Sequence, residues 1–244
     1  MHNAAFHALG LDAVYVPLPC RPDDVPALLT GLARGGGGGN VTVPYKEAAA
    51  RAVDRLEPRA EMLRACNTFW ADDGYIAGDN TDVAGVLAAL DQLDPPDQPW
   101  LVAGTGGSAR AVAGAARERN VPLAVRSRAP ERAAAFVRWA RELGVAVVEP
   151  DHCGVLINAT PLGLGAKDPA PIPADVAPGA QVGLDLVYAP GETAWVRGLR
   201  ARGLRAADGR DMLVAQGVAA FERWFPGVRA PRDVMRAAVS AALR

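Results

Sequence analysis

Lysine is nearly absent from this chain: of 26 basic residues only Lys46 and Lys167 are lysine, and the rest are arginine. Cysteine is scarce as well. Cys20, Cys66 and Cys153 are odd in number, far apart and without Cys-x-x-Cys spacing, which excludes a disulfide framework or zinc site as the organising feature and fits a reducing cytoplasm. His2, His7 and His152 have no paired spacing with acids or cysteines, so no metal is implied. An excess of charge is missing too. Lys and Arg number 26 against 27 Asp and Glu, for a net charge of −1, and a pI near 6.3 leaves no field to attract a polyanion. Nucleic acid is therefore not an expected partner, and a small molecule is. No apolar run approaches the ~20 residues that span a bilayer, and the start has no basic region followed by an apolar stretch. The expected location is the cytoplasm, with no membrane association.

With 244 residues, half of them apolar, the chain can bury one large core or two modest ones. The front mixes elements. Ala13 to Pro17 reads as a strand, Pro22 to Arg34 as a helix, Asn40 to Val43 as a strand entering a helix at Pro44, and Asn67 to Ala77 as a hairpin around Asp73-Gly74. The glycines Gly35 to Gly39 read as a permissive loop. Asp82 to Leu93 reads as an amphipathic helix, and the Pro-rich stretch Asp94 to Pro99 as a break near a domain boundary. Strict alternation follows: strands Trp100 to Ala103, Pro122 to Arg126, Val145 to Val148, Val155 to Asn158 and Gln181 to Val187, with helices Ser108 to Arg119 and Pro130 to Leu143. That order predicts βαβ units around a parallel sheet. The tail predicts two helices, Met212 to Phe225 and Pro231 to Leu243, separated by Pro226-Gly227.

Strand Trp100 to Ala103 runs directly into Gly104-Thr-Gly106-Gly107-Ser-Ala109 and then a helix. Glycine lets the backbone turn sharply and approach a phosphate without a Cβ, and the free N–H groups of the helix start face the anion. Any tight strand-to-helix turn could use such glycines, but the flanking elements favour a dinucleotide. An NAD site would carry an acid near the end of the second strand to hold the ribose. Here stand Arg126, Ser127 and Arg128, with Arg132 a turn later. Guanidinium groups suit the 2′-phosphate of NADP, where a carboxylate would repel it. The competing reading is that these arginines only solvate a helix start.

Asn40-Val-Thr42-Val-Pro44-Tyr-Lys46 puts a strand end, a proline suited to the first helical position and a lysine within one turn. The positive end of a helix disfavours an ammonium, which eases loss of its proton. Lysine can give up a proton in the useful range and arginine cannot. In a chain that otherwise chooses arginine, Lys46 is a candidate acid or base, set against the plainer reading of a solvated lysine. Asn80, Thr81 and Asp82 look like cap and first-turn residues of the next helix. Capping is compatible with catalysis, and the Asp82 carboxylate could share a hydrogen-bonded proton with Lys46. Cys66 reads as a small buried side chain rather than a nucleophile.

Seven segments taken together resemble the shikimate dehydrogenase family: NVTVPYK (Asn40 to Lys46), CNT (Cys66 to Thr68), GDNTD (Gly78 to Asp82), GTGGSA (Gly104 to Ala109), INAT (Ile157 to Thr160), DLVY (Asp185 to Tyr188) and GRDMLVAQG (Gly209 to Gly217). They occur in the family's order and approximate spacing over nearly the whole chain. The resemblance implies an α/β fold with an N-terminal α/β substrate domain over residues 1–81, completed by C-terminal helices in 210–244, and a Rossmann-like NADP-binding domain over 82–209. It implies NADPH-dependent reduction of 3-dehydroshikimate to shikimate in a cleft between the domains, as a monomer or homodimer. Lys46 and Asp82 match the catalytic pair, and Thr42, Asn67 and Gln216 match positions that hold substrate hydroxyls. Tyr188 is similar to the family tyrosine near substrate and nicotinamide. Gly104, Gly106, Gly107 and Ala109 correspond to the dinucleotide loop, and Ser127, Arg128 and Arg132 to an Asn-Arg-Thr run with a second basic residue. Serine and Ala129 depart from that run.

The family opens with a strand and a Ser-x-Ser-Pro-x-x-His-Asn stretch whose serines bind the substrate carboxylate, and Met1-His2-Asn3 resembles only its end. A start assigned too late accounts for this with the remaining site intact. Two other readings follow from the same residues. One is a quinate/shikimate or aminoshikimate-type dehydrogenase, with NAD in place of NADP. The other is a catalytically impaired NADP-binding paralogue.

Overall fold

In a computed structural model the chain is described over residues 1–165, 168–173 and 175–244, so Lys167 lies outside the described residues. The chain divides into two compact units, Met1–Ala84 with Val214–Ala241, and Gly85–Leu213 with Ala242–Arg244.

The first unit contains α1 (His2–Leu9), α2 (Val25–Arg34, after a 3-10 turn Pro22–Asp24), β1 (Gly38–Asn40), α3 (Lys46–Ala52), β2 (Arg55–Leu56), α4 (Pro58–Leu63), β3 (Thr68–Asp72) and β4 (Tyr75–Asp79). Its sheet has the order β1-β3-β4-β2. β3 and β4 form the expected antiparallel hairpin, with Asp72 opposite Tyr75. Asp73 (φ 44°) and Gly74 (φ 82°) both take the left-handed conformation that a two-residue turn of this twist requires. Two readings of the front need correction. Ala13 to Pro17 is not a strand: the Asn3 side chain, instead of a neighbouring strand, takes the Tyr15 N–H at 2.6 Å and donates to the Tyr15 carbonyl at 2.8 Å. The glycine run is not only a loop, because Gly38 and Gly39 pair with Trp70 and Phe69 in β1. A Cβ on Gly38 would lie 2.5 Å from the Phe69 carbonyl oxygen, so only glycine permits this approach.

Apolar positions of α2 (Val25, Leu29, Ala33) pack with Ala49, Cys66, Phe69 and Ile76 to form the core on this sheet. Each large side chain buried there contributes about 1.5–3 kcal/mol. The chain ends join through aromatic rings, with Phe6 5.9 Å from Phe221 and 5.6 Å from Phe225 between centroids.

The second unit holds β5 (Trp100–Ala103), α6 (Gly107–Arg119), β6 (Leu123–Arg126), α7 (Pro130–Glu142), β7 (Val155–Asn158), β8 (Val182–Asp185), α8 (Ala194–Ala201) and β9 (Arg205–Ala207). The strands form one sheet ordered β6-β5-β7-β8-β9, every pair parallel. This is the Rossmann-like arrangement expected from the alternation of elements. Val145 to Val148 contributes a single bridge, Leu123 to Val147, rather than a strand. Gly144 turns at φ 86° before it and Pro150 follows, which leaves room for little pairing. The fifth strand is instead β9, whose Arg-Ala-Ala sequence carries no strand signal.

α5 (Asp82–Asp91) and α9 (Arg210–Trp224) run across the division of the chain, and α10 (Arg232–Ala242) follows α9. The Asp94 to Pro99 stretch lies in the second unit, close to the division between Ala84 and Gly85. Among the described residues no helix is long and apolar enough to cross a membrane.

Candidate active site

Lys46 is the first residue of α3, and Pro44 stands outside the helix in a turn with a cis Val43–Pro44 bond, where the sequence had suggested the first helical position. The turn closes when the Thr42 carbonyl accepts the Tyr45 N–H at 2.9 Å. Asp82 opens α5, 36 residues further on. The fold brings the two together: Lys46 Nζ donates to Asp82 Oδ2 at 2.5 Å, with side chains only 9% and 5% exposed. A buried ion pair rarely adds net stability, because desolvating both charges offsets their attraction.

The rest of the cluster orients that pair. Asn67 Nδ2 donates to the other Asp82 oxygen, Oδ1, at 2.8 Å and to Thr81 Oγ1 at 3.0 Å, while Asn67 Oδ1 accepts the Thr81 N–H at 2.8 Å. The Gln216 Oε1 of α9 stands 3.5 Å from the same Asn67 nitrogen, the outer limit of a hydrogen bond. The Cys66 N–H bonds the Lys46 carbonyl at 2.9 Å and so ties α3 to the start of β3. Lys46, Asn67, Asp82 and Gln216 therefore converge. Thr42 is exposed on the adjoining turn, and among the described residues its side chain has no hydrogen bond to that cluster. Burial pushes the Cys66 thiol up to about 12, which makes it inert as a nucleophile near neutrality.

The reading of Asn80 to Asp82 as cap residues captured only part of their role. Asn80 Oδ1 accepts the Asp82 N–H at 3.2 Å, as a cap would, but Asn80 Nδ2 also donates to the Ala65 carbonyl at 2.8 Å, and Thr81 serves Asn67. Asp79, Asn80, Thr81 and Asp82 are all at most 4% exposed. Four consecutive polar residues hidden from water must each find partners. The missed signal was the length of that run, which is more than a cap needs.

In the second unit, strand order reverses between β5 and β7, and ligands in such sheets bind outside the carboxyl ends of the strands at that point. The glycine loop sits there. Gly104 has φ 113°, and a Cβ on it would lie 2.7 Å from the Ala159 carbonyl oxygen, whereas a Cβ on Gly106 would enter open space. Gly106 caps α6, Gly107 begins it and Ala109 is fully buried beneath it. The loop therefore leaves a hollow in front of a 13-residue helix start, a shape that fits a pyrophosphate. At the end of β6, Arg126, Arg128 and Arg132 are exposed and Ser127 Oγ accepts the Ala129 N–H at 3.3 Å. Tyr188, beyond the end of β8, is 39% exposed.

Sequence reasoning assigned no role to the polar ends of β7 and β8. Asp185, fully buried, accepts from Asn158 Nδ2 at 2.8 Å, the Thr193 hydroxyl at 2.8 Å and the Val187 N–H at 3.1 Å. Burial pushes its carboxyl above the ordinary carboxylate value, against those three donors. The available signal was a polar residue closing an otherwise apolar strand twice over, at Asn158 and Asp185, which pair in register.

A parallel α/β unit with a glycine loop at its switch point, joined in one chain to an α/β unit holding a buried Lys–Asp pair, defines the class of two-unit nicotinamide-dependent dehydrogenases. Residues 1–69 match the profile of the shikimate dehydrogenase substrate binding domain, and residues 209–239 that of the shikimate 5′-dehydrogenase C-terminal domain. The shikimate dehydrogenase (NADP(+)) of Methylocella silvestris is 40% identical over 241 residues, covering 92% of this chain and 84% of that one. That of Rubrobacter xylanophilus is 42% identical, covering 98% and 89%. The crystal structure of shikimate 5-dehydrogenase from Thermus thermophilus in complex with NADP(H) and shikimate is 36% identical, with a TM-score of 0.89 over 99% of this chain and 93% of that one. This chain belongs to the shikimate dehydrogenase family.

Proposed function

We propose that this protein catalyses the reversible NADPH-dependent reduction of 3-dehydroshikimate to shikimate, within aromatic amino acid biosynthesis. The observation that carries the reading is the buried Lys46–Asp82 ion pair at 2.5 Å, a couple that a pure binding protein has no need of. Bound NADPH supplies the hydride. The Lys46 ammonium and the Asp82 carboxyl face the carbonyl oxygen, polarise it and deliver its proton. Asn67 holds one Asp82 oxygen and leaves the other for Lys46, so the pair has one preferred orientation. The polar side chains of Thr42, Asn67 and Gln216 take substrate hydroxyls, and Tyr188 is a further substrate contact. The first unit is the substrate domain and the second the NADP domain. Gly104, Gly106, Gly107 and Ala109 shape the pyrophosphate cradle, and Ser127, Arg128 and Arg132 hold the adenosine phosphate. Three free cysteines fit a cytoplasmic enzyme, acting as a monomer or homodimer.

Initial rates with shikimate and with quinate, each with NADP+ and with NAD+, test the assignment. Shikimate with NADP+ is expected to give the highest kcat/KM. Faster turnover of quinate would transfer the protein to the quinate/shikimate type, and tight NADPH binding with no turnover of either would mark an impaired paralogue.

Two of the loop glycines, Gly104 and Gly106, give a separate check. Gly104→Ala forces a Cβ against the Ala159 carbonyl at a left-handed φ and is expected to cost about 1–3 kcal/mol of stability in denaturant titrations. Gly106→Ala meets open space. It is expected to leave the unfolding midpoint unchanged and weaken NADPH by about tenfold, by filling room kept for phosphate. Undiminished NADPH affinity in Gly106→Ala would remove the cradle from that position.

A further inference from the structure

Arg223, near the C-terminal end of α9, carries no role in the reaction proposed above, yet its guanidinium is spent on a single buried group. Its Nε and Nη2 both donate to Asp79 Oδ2, at 3.1 and 2.9 Å. Asp79 is 3% exposed, and its ion pair with Arg223 is joined at the rim by Glu57 at 3.4 Å from Nη2. The guanidinium carbon also lies 5.6 Å from the centre of the Trp70 ring. A carboxylate buried so far from water is costly to leave without partners of this kind.

What Asp79 holds gives the pairing its meaning. Its Oδ1 accepts the Asn80 N–H at 2.7 Å, and its carbonyl accepts the Asn67 N–H at 3.0 Å. Asn80 in turn accepts the Asp82 N–H, and Asn67 accepts the Thr81 N–H. The carboxylate therefore fixes the first amide of the turn that delivers Asp82 to Lys46, while the backbone carbonyl of the same residue holds Asn67, which orients Asp82. The amides of Asn80, Thr81 and Asp82 all bond to side-chain acceptors rather than to a strand or helix ladder, so the shape of the turn depends on how those side chains are held.

α9 presents Gln216 and Arg223 seven residues apart, two helical turns, on the same face. The helix that brings the Gln216 amide to Asn67 thus also brings the cation that pins the turn. Arg223 is not what docks that helix. Phe221 is fully buried, and Trp224 Nε1 donates to Thr68 Oγ1 at 3.1 Å, so α9 stays seated without the guanidinium.

We propose that Arg223 is a positioning residue for the Lys46–Asp82 pair, acting through Asp79 to set the turn Asp79 to Asp82. The proposal rests on the dehydrogenase reading for its kinetic consequence and on geometry alone for its structural one. The full-length chain and its Arg223→Met and Arg223→Lys variants are compared in shikimate oxidation with NADP+, together with amide hydrogen exchange. Arg223→Met is expected to lower kcat by about tenfold, the equivalent of one charge-assisted hydrogen bond, with the KM for NADP+ unchanged. Arg223→Lys, which keeps the charge, is expected to recover most of that loss. Asp79→Asn removes the charge that Arg223 serves, so adding Arg223→Met to it is expected to lower kcat no further.

Exchange at Asn80, Thr81 and Asp82 is expected to quicken about tenfold in Arg223→Met, while β5 and β7 keep their protection. Unchanged exchange at those three amides, or a kcat loss that simply adds to that of Asp79→Asn, overturns the proposal. If the parent chain fails to oxidise shikimate, the dehydrogenase reading falls, and the exchange pattern still decides whether Arg223 holds the turn.

Discussion

Lys46→Ala is expected to reduce turnover of 3-dehydroshikimate by about a hundred- to ten-thousand-fold, the contribution typical of a positioned acid or base. NADPH affinity is expected to stay within about threefold of the parent, since the lysine belongs to the first unit and the glycine loop to the second. The variant also leaves the Asp82 carboxylate buried without its counter-ion, a change that costs about 3–5 kcal/mol where no other group compensates. Asn67 still donates to Asp82 Oδ1, which limits that cost. Lys46→Met, which keeps the aliphatic stem and loses only the ammonium, separates chemistry from packing. Steady-state rates beside NADPH titration by fluorescence give both quantities. Parallel loss of turnover and cofactor affinity would make Lys46 a structural residue and end the acid–base assignment.

Arg128→Ala combined with Arg132→Ala is expected to produce the second largest effect, in cofactor choice. Each charge-assisted contact to a phosphate contributes about 1.5–3 kcal/mol when shielded from water. Both guanidinium groups are exposed, so the lower end applies, and the pair is expected to raise the KM for NADPH by about ten- to a hundredfold. The KM for NADH, which lacks the 2′-phosphate, is expected to move little. Unaltered discrimination between the two cofactors would return these arginines to the role of solvating the start of α7.

The long apolar strands and strongly patterned helices were legible within a residue or two: β5, β7 and β8, with α6 and α7, stand where the alternation predicted. Short elements held by tertiary pairing were not. Arg205 to Ala207 becomes β9 because the β8 backbone offers it partners, and Val145 to Val148 fails for want of more than one bridge. α8 was readable in retrospect, with Thr193 accepting the Val196 N–H at its start and Trp195, Val196 and Leu199 on its buried side. Within the site, Lys46 stood out because the chain so seldom uses lysine, and Asp82, Asn67 and Gln216 because of the motifs around them. Asp79 and Asp185 lay inside two of those motifs without a role being read for them, and Arg223 lay in none. Their roles depend on partners 144 residues away for Arg223 and Asp79, and 27 residues away for Asp185 and Asn158, and no local pattern encodes such distances.

The first unit is assembled from both ends of the chain, its aromatic seam closing only when Phe221 and Phe225 meet Phe6. All five parallel strands of the second unit precede α9 in the chain and are synthesised before it. A polypeptide that stops at Leu213 thus carries every strand of the second unit but lacks the rings that meet Phe6 in the first. Such a fragment would expose Phe6 to chaperones and proteases, and it would lack the Gln216 amide that stands beside Asn67.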